Sequence, residues 1–437
     1  MTPTTKGVKQ MTVVNAGGTP PSPSVAASDF AGDQHATTLR GAAQAYRDRL
    51  RGGDMGPLPA VLGLVALGII FTVLRPDTFP SAINITNLLV QAAAICVLAM
   101  GLVPVLLMAE IDLSAGVAGG ASAGVMAVVI RGDGMPWYVG VLAALLTGMV
   151  IGLVIGLMVA KLGIPSFVVT LAFFLGLQGI TLKLIGQGGT VPVHDGTILA
   201  IANSNLPVTV GWVVAVAASV LYAALSLRRH LAHAKAGLAR SPLALVVLRV
   251  VGMAVVLLAM TYVLSINRAR VPTITLAGIP YAVPLVAVLL IVWSFVFSRT
   301  RYGRHVYASG GNAEAARRAG ISVDRVRISV FVICSGMAAL SGLIAASRLN
   351  SVTPDAGAGN TLLYAVGAAV IGGTSLFGGK GRIRDAIIGG LVIAMIDNGL
   401  GLLGLAAYVN YLVTGTVLLL AASVDAISRR RRNATGH

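Results

Sequence analysis

Along this chain apolar residues come in long runs of about 16–24 residues, set apart by short polar junctions. The runs show neither the one-sided stripe of a surface helix nor the alternation of a half-buried strand. Twelve are read, near 58–74, 88–109, 113–130, 137–160, 166–186, 209–227, 243–265, 281–298, 326–347, 362–377, 385–400 and 407–424. Runs of this length match a bilayer's hydrocarbon core, where only backbone that satisfies its own hydrogen bonds can cross. The expected fold is all-α, a polytopic transmembrane helix bundle. Two stretches depart from a simple ladder of spans. Residues 88–130 hold two runs parted only by Glu110-Ile111-Asp112, and 362–377 is short for a crossing. Broken or re-entrant helices are expected there.

Composition removes the soluble classes. The 437 residues are 56% hydrophobic and 11% charged, where soluble domains carry roughly 25% charge. A soluble enzyme, a disordered regulator and a disulfide scaffold are excluded, and Cys96 and Cys334 both sit within apolar runs. A net charge of +17 would suit nucleic acid, but its distribution reads as a topology signal instead. Of 32 Lys and Arg, 25 fall on alternate junctions: the N-terminal tail, Lys161, 228–242, 299–325 with Arg327, 378–384 and the C-terminal tail. The opposite junctions carry only Arg75, Arg131, Arg268, Arg270 and Arg348. Both termini are therefore expected to be cytoplasmic, with no nucleic-acid partner. Residues 1–55 read as a largely disordered tail without a leading apolar core. Within it, 38–51 reads either as a short basic helix on the inner leaflet, through Leu39, Tyr46 and Leu50, or as plain flexible chain. Residues 56–427 form the membrane domain and 428–437 a basic tail.

The longest basic junction, Arg299 to Arg327, carries the most local information. Gly310-Gly311 is expected to break the chain, and Asn312 to cap a short helix with Glu314 in its first turn. Ala315, Ala316 and Ala319 give it a small-residue face, Arg317 and Arg318 lie near its end, and Gly320 stops it. Such a helix suits insertion into a groove on another protein; the alternative is a loop that only connects spans.

At this point a resemblance becomes visible. The segment GGNAEAARRAGI (310–321) resembles the coupling-loop signature of ABC-type monosaccharide importer permeases, the ribose/xylose/galactose branch. EIDLSAG (110–116), GIPSFVVTLAFF (163–174), AAVIGGTSLFGGKG (368–381) and YLVTGTVLLLAASVDAISRRRR (411–432) follow the family's order. The likeness is strongest to xylose permeases, through extra apolar material at 209–265 that would turn ten spans into twelve. The resemblance implies a multi-pass transport subunit of a bacterial inner membrane, not an enzyme, in contact with lipid. It implies no cofactor in this chain, with ATP and magnesium on a separate cytoplasmic ABC ATPase. A second permease copy, an extracytoplasmic sugar-binding protein and a monosaccharide substrate such as xylose complete the implied assembly. The residues it places against the ATPase are Gly310, Gly311, Asn312, Glu314, Ala315, Ala316, Arg317 and Gly320. Permeases for branched-chain amino acids or nucleosides, and an ion-coupled transporter working alone, remain the alternatives.

The run TSLFGGKG (374–381) is no phosphate-binding loop, since Thr374 stands for the first Gly and Gly381 for the magnesium-binding Ser or Thr. Its glycines suit a sharp bend and close helix approach instead. Polar residues within or beside the apolar runs are candidates for a translocation path or gate: Gln91, Glu110, Asp112, Ser114, Gln178, Asp397 and Asn398. Helix capping by Asp112 or Ser114, and amide bonds between helices, are the structural alternatives. No catalytic set and no metal-ligand spacing is visible.

Overall fold

The computed structural model describes residues 56–435 except 133, 237–241, 270 and 272, together with 40, 41, 44 and 47. The expected tail over 1–55, with its helix over 38–51, lies outside the described residues apart from those four positions.

Each of the twelve apolar runs is a helix: α1 (Leu58–Leu74), α2 (Ala82–Leu107), α3 (Ala115–Gly132), α4 (Trp137–Lys161), α5 (Ser166–Ile185), α7 (Val208–Lys235), α8 (Leu243–Ser265), α9 (Ala282–Arg299), α12 (Val323–Leu349), α13 (Thr361–Gly372), α14 (Asp385–Leu403) and α15 (Ala407–Thr435). Three shorter helices lie between them: α6 (Gly196–Asn203), α10 (Arg301–Gly311) and α11 (Ala313–Arg318). Among the described residues, nine helices have the length and apolar composition to cross a membrane. The chain is a polytopic all-α membrane protein. Helix α15 runs on through the basic residues 429–432 as far as Thr435.

Helices α2 and α12 form the centre, where Val97, Leu98, Leu102, Val103, Val330, Phe331, Cys334 and Ala338 are at most 1% exposed. Lipid tails are as apolar as Leu, so helices here associate through close packing rather than through release of water. The sequence supplies it: Gly148, Gly152 and Gly156 make a four-residue stripe on α4, and a Cβ on any of them would collide with α12 at Ser335, Phe331 or Ile328. The α7–α8 hairpin stands at the periphery. None of the apolar window of α8 is buried, and Leu248, Val255 and Val256 are exposed for lipid. The added mid-chain pair thus sits outside an otherwise self-sufficient bundle.

The junctions sort onto two sides. Antiparallel two-residue strands β1 (Val191–Pro192) and β4 (Ser351–Val352) pair at one end, as do β2 (Asn205–Leu206) and β3 (Ile279–Pro280). They gather 186–207, 266–281 and 350–360 around α6. At the other end the Lys161 ammonium lies 3.6 Å from Asp324, and the Tyr307 hydroxyl donates to the Gly381 carbonyl at 2.7 Å. That side gathers the end of α4, α10, α11 and the 373–384 segment. The basic junctions with described contacts fall on this second side, as their charge pattern requires.

Of the two expected irregular stretches, 88–130 holds two helices each long enough to span, α2 and α3, joined by residues 108–114, whereas 362–377 is a short helix completed by non-helical chain. At 1.5 Å per residue α13 reaches about 18 Å, short of the roughly 30 Å hydrocarbon core. Residues 373–384 complete the passage to the α11 side, with Thr374, Ser375 and Ile383 buried. Non-helical backbone at such depth is tolerated only where protein surrounds it. Here Gly379 N–H donates to the Leu107 carbonyl and Ser375 N–H to that of Lys380, both at 2.9 Å. The glycine-rich neighbourhood at 372–381 serves this bend, as its sequence suggested.

Candidate functional site

The first candidate site is α11 and what lies beneath it. Thr300 caps α10, its hydroxyl accepting from Gly303 N–H at 3.4 Å. Contrary to expectation, Gly310 and Gly311 do not break the chain: α10 runs through them, and the bend falls at Asn312, whose backbone is extended. Gly310 is needed for a different reason, because a Cβ there would run into the Leu107 carbonyl oxygen at the end of α2. Asn312 does cap α11, its side-chain oxygen accepting from Ala315 N–H at 2.9 Å. Gly320 follows the helix at φ +82°, a conformation that favours glycine. Arg318 pairs with Glu314 at 3.2 Å, and Arg317 with Asp324 at 3.4 Å. The alanine face is divided: Ala316 is 4% exposed within this chain's own core, while Ala315 and Ala319 stay exposed.

Helix α11 therefore does not float on a loop. The Tyr302 hydroxyl shares a hydrogen with Ser329 Oγ at 2.9 Å, and burial pushes its phenol up to about 12. Burial also raises the Tyr307 phenol, aided by the nearby Asp385 carboxylate, so its proton stays available for the Gly381 carbonyl. The Arg327 guanidinium sits 2.8 Å from Glu110, with side chains only 22% and 14% exposed. The two tyrosines bind α10 to α12 and to the 373–384 segment, Arg317 binds α11 to Asp324 of α12, and the Glu110–Arg327 pair ties α12 to the residues that follow α2.

The second candidate is a cavity of about 260 Å³ among α2, α3, α12, α13, α14 and the 350–361 loop. This is just under the roughly 300–1,000 Å³ of sites for small organic molecules. Of the expected path residues, Gln91 and Asp397 line it. The others have different surroundings. Asp112 is buried and caps α3, accepting from Ser114 N–H at 2.9 Å and from the Ser114 hydroxyl at 2.7 Å. Glu110 faces Arg327 on the α11 side, and Gln178 lies on α5 away from the cavity. Asn398 and Asn84 exchange two side-chain hydrogen bonds of 3.0 Å, tying α14 to the start of α2. Sequence reading missed Arg348 and Tyr364, which also line the cavity. The available signal was Arg348 itself, a basic residue at a run's end on the side nearly free of them. Among the described residues no group of His, Cys, Asp and Glu is placed to hold a metal ion.

The Asn84–Asn398 exchange allows a direct check of structure against path. Asn398→Ala leaves the buried Asn84 side-chain oxygen without its donor, while Nδ2 keeps the Phe79 carbonyl, and thermal unfolding in detergent should show a loss of about 1–2 kcal/mol. Asn84→Leu combined with Asn398→Leu should recover much of it. An unchanged melting curve for Asn398→Ala would mean that the exchange is not made in the membrane.

Comparison with known proteins finds transport permeases. The xylose transport system permease protein XylH of Escherichia coli is 35% identical over 371 residues, covering 85% of this chain and 92% of that one. XylH of Haemophilus influenzae is 35% identical over 377 residues, 86% of this chain and 98% of the relative. The ribose import permease protein RbsC of Escherichia coli is 32% identical over 366 residues, 84% and 92% of the two chains. No solved structure matches the chain. Residues 84–422 match the model of the family described as branched-chain amino acid transport system / permease component, from α2 to within α15, and the chain belongs to that family of transport permeases.

Proposed function

We propose that the chain is the membrane-spanning subunit of an ATP-driven importer for a monosaccharide, xylose or a related pentose. Two copies enclose the passage in the inner membrane of a bacterium, with both termini in the cytoplasm. A separate ATPase binds on the α11 side and a sugar-binding protein on the α6 side. ATP and magnesium sit on the ATPase, and this chain's residues convert its closure into alternating access.

The observation that carries this reading is α11. It is a capped helix with exposed Ala315 and Ala319, its Arg317 pairs with Asp324 at the start of α12, and Gly310 of the preceding α10 packs on Leu107 at the end of α2. A lone ion-coupled transporter has no need of such a lever. Relatives named for xylose and ribose support a sugar over an amino acid, although the family description names branched-chain amino acids.

Uptake of labelled xylose, ribose and leucine is to be compared in cells with and without the gene. Xylose or ribose uptake that depends on this chain and on ATP is expected; leucine uptake alone would select the amino-acid reading. Orientation has its own test. Cysteines placed at Ser204 and Thr353 should label from outside intact cells, whereas cysteines at Ala236 and Ala313 should not. Labelling at 313 from outside would place α11 on the wrong side and remove the ATPase from the argument.

A further inference from the structure

Resting on the sugar-permease reading, we infer that the 260 Å³ cavity is a stopping point for the solute, with Gln91, Arg348 and Asp397 as its specificity-determining residues. The three come from different helices, α2, α12 and α14, and converge on one small volume. Each has unused hydrogen-bonding capacity there. Gln91 Oε1 is buried without a partner, a condition that costs free energy unless something visits it. One Asp397 oxygen accepts from Asn410 Nδ2 at 2.9 Å, which fixes the carboxylate of this cavity-lining residue and leaves its second oxygen free of that bond. Arg348, exposed at the cavity's edge, feels the Asp397 charge and makes no hydrogen bond among the described residues.

The chemistry selects the solute class. One cation and one anion facing the same space cancel, so a neutral molecule enters without an unpaired charge. A carboxylate accepts and a guanidinium donates, and an amide does both, which matches adjacent hydroxyls that each give and take a hydrogen. Ser341, Thr353 and Tyr364 add hydroxyls around an Ala- and Gly-rich wall, leaving room for a compact polyol rather than a branched apolar side chain. The ligand class is a neutral polyhydroxy compound of pentose size. The α12 end at Arg348 belongs to the α6 side, so the cavity lies next to the surface expected to receive the sugar-binding protein.

The test uses the complete transporter in intact cells. Ala345→Cys puts a thiol in the cavity wall, and the native Cys96 and Cys334 are buried and unreactive. Xylose should slow alkylation of that thiol several-fold, and leucine should not. In parallel, Gln91→Leu and Asp397→Asn should lower the maximal rate of labelled xylose uptake at least tenfold at normal membrane levels. The Asn variant keeps an acceptor for Asn410, so its defect would not come from a lost helix contact. Wild-type cells that carry no pentose would sink the sugar reading itself. Pentose transport with no protection of the thiol at position 345 and with unchanged Gln91 and Asp397 variants would overturn only the cavity assignment, the solute then crossing without stopping there. Protection by leucine instead of xylose would overturn it as well.

Discussion

Ala315→Trp is expected to abolish co-purification of the ATPase while leaving the permease at normal levels in the membrane. Ala315 is exposed on α11, and its N–H, not its side chain, is used by the Asn312 cap. An indole there meets no part of this chain but must be accommodated by whatever surface receives α11. Overpacking a formed interface costs about 1–3 kcal/mol, and every 1.4 kcal/mol is tenfold in affinity. In the proposed two-copy assembly each copy docks one helix, and the loss compounds. Ala316→Trp serves as the contrast: Ala316 is already inside this chain, so the same indole should destabilise the permease itself. Glu314→Lys breaks only an exposed pair with Arg318 and should do less, with a defect that salt can screen. The measurement is ATPase retained per permease, alongside pentose uptake. Wild-type retention for Ala315→Trp would reduce α11 to a connector.

What could be read in the sequence, and what could not, follows from the range of the forces involved. Apolar run lengths report on bilayer thickness, a property of the solvent, so all twelve helices were legible. The Asn312 cap and the stop at Gly320 were legible too, since caps act over three or four residues. Gly310 shows the limit. Its local meaning is helix breaking, yet it lies inside α10 because the α2 end at Leu107, far earlier in the chain, packs against it. The divided face of α11 was hidden for the same reason: Ala315 and Ala316 are chemically identical, and only the packing of α12 decides which is buried. Among the path candidates, Gln91 and Asp397 reached the cavity, whereas Asn398, one residue from Asp397, points instead to Asn84. One residue on a helix turns about 100°, and no local rule says which of two neighbours faces a space built by several other segments. Sorting the basic residues onto two sides was legible because that pattern is global and redundant.

Cutting the Glu110–Arg327 pair should uncouple ATP hydrolysis from transport. The pair joins the α2–α3 junction to the first turns of α12, the helix that also holds Asp324, the partner of Arg317 on α11, and both side chains are mostly shielded from water. Arg327→Gln leaves the Glu110 carboxylate without its counter-charge in that setting. Loss of one partner from a fully buried pair costs about 3–5 kcal/mol, and residual exposure brings the expected figure to roughly 2 kcal/mol. Some of that appears as lowered thermal stability in detergent. The part that matters for function is the loss of a rigid contact through which α11 moves α2. ATPase binding should survive, because the exposed face of α11 is unchanged, while pentose carried per ATP hydrolysed should fall at least fivefold. Glu110→Gln should behave alike, and the two changes together should cost less than the sum of the single ones, since the double variant leaves no unpaired charge. Strict additivity would mean that the pair makes no functional contact, leaving Tyr307–Gly381 and Gly310–Leu107 to carry the motion. The cycle thus separates a charged relay from a purely steric one, and assigns the first step of coupling either to the α2–α3 junction or to the 373–384 segment.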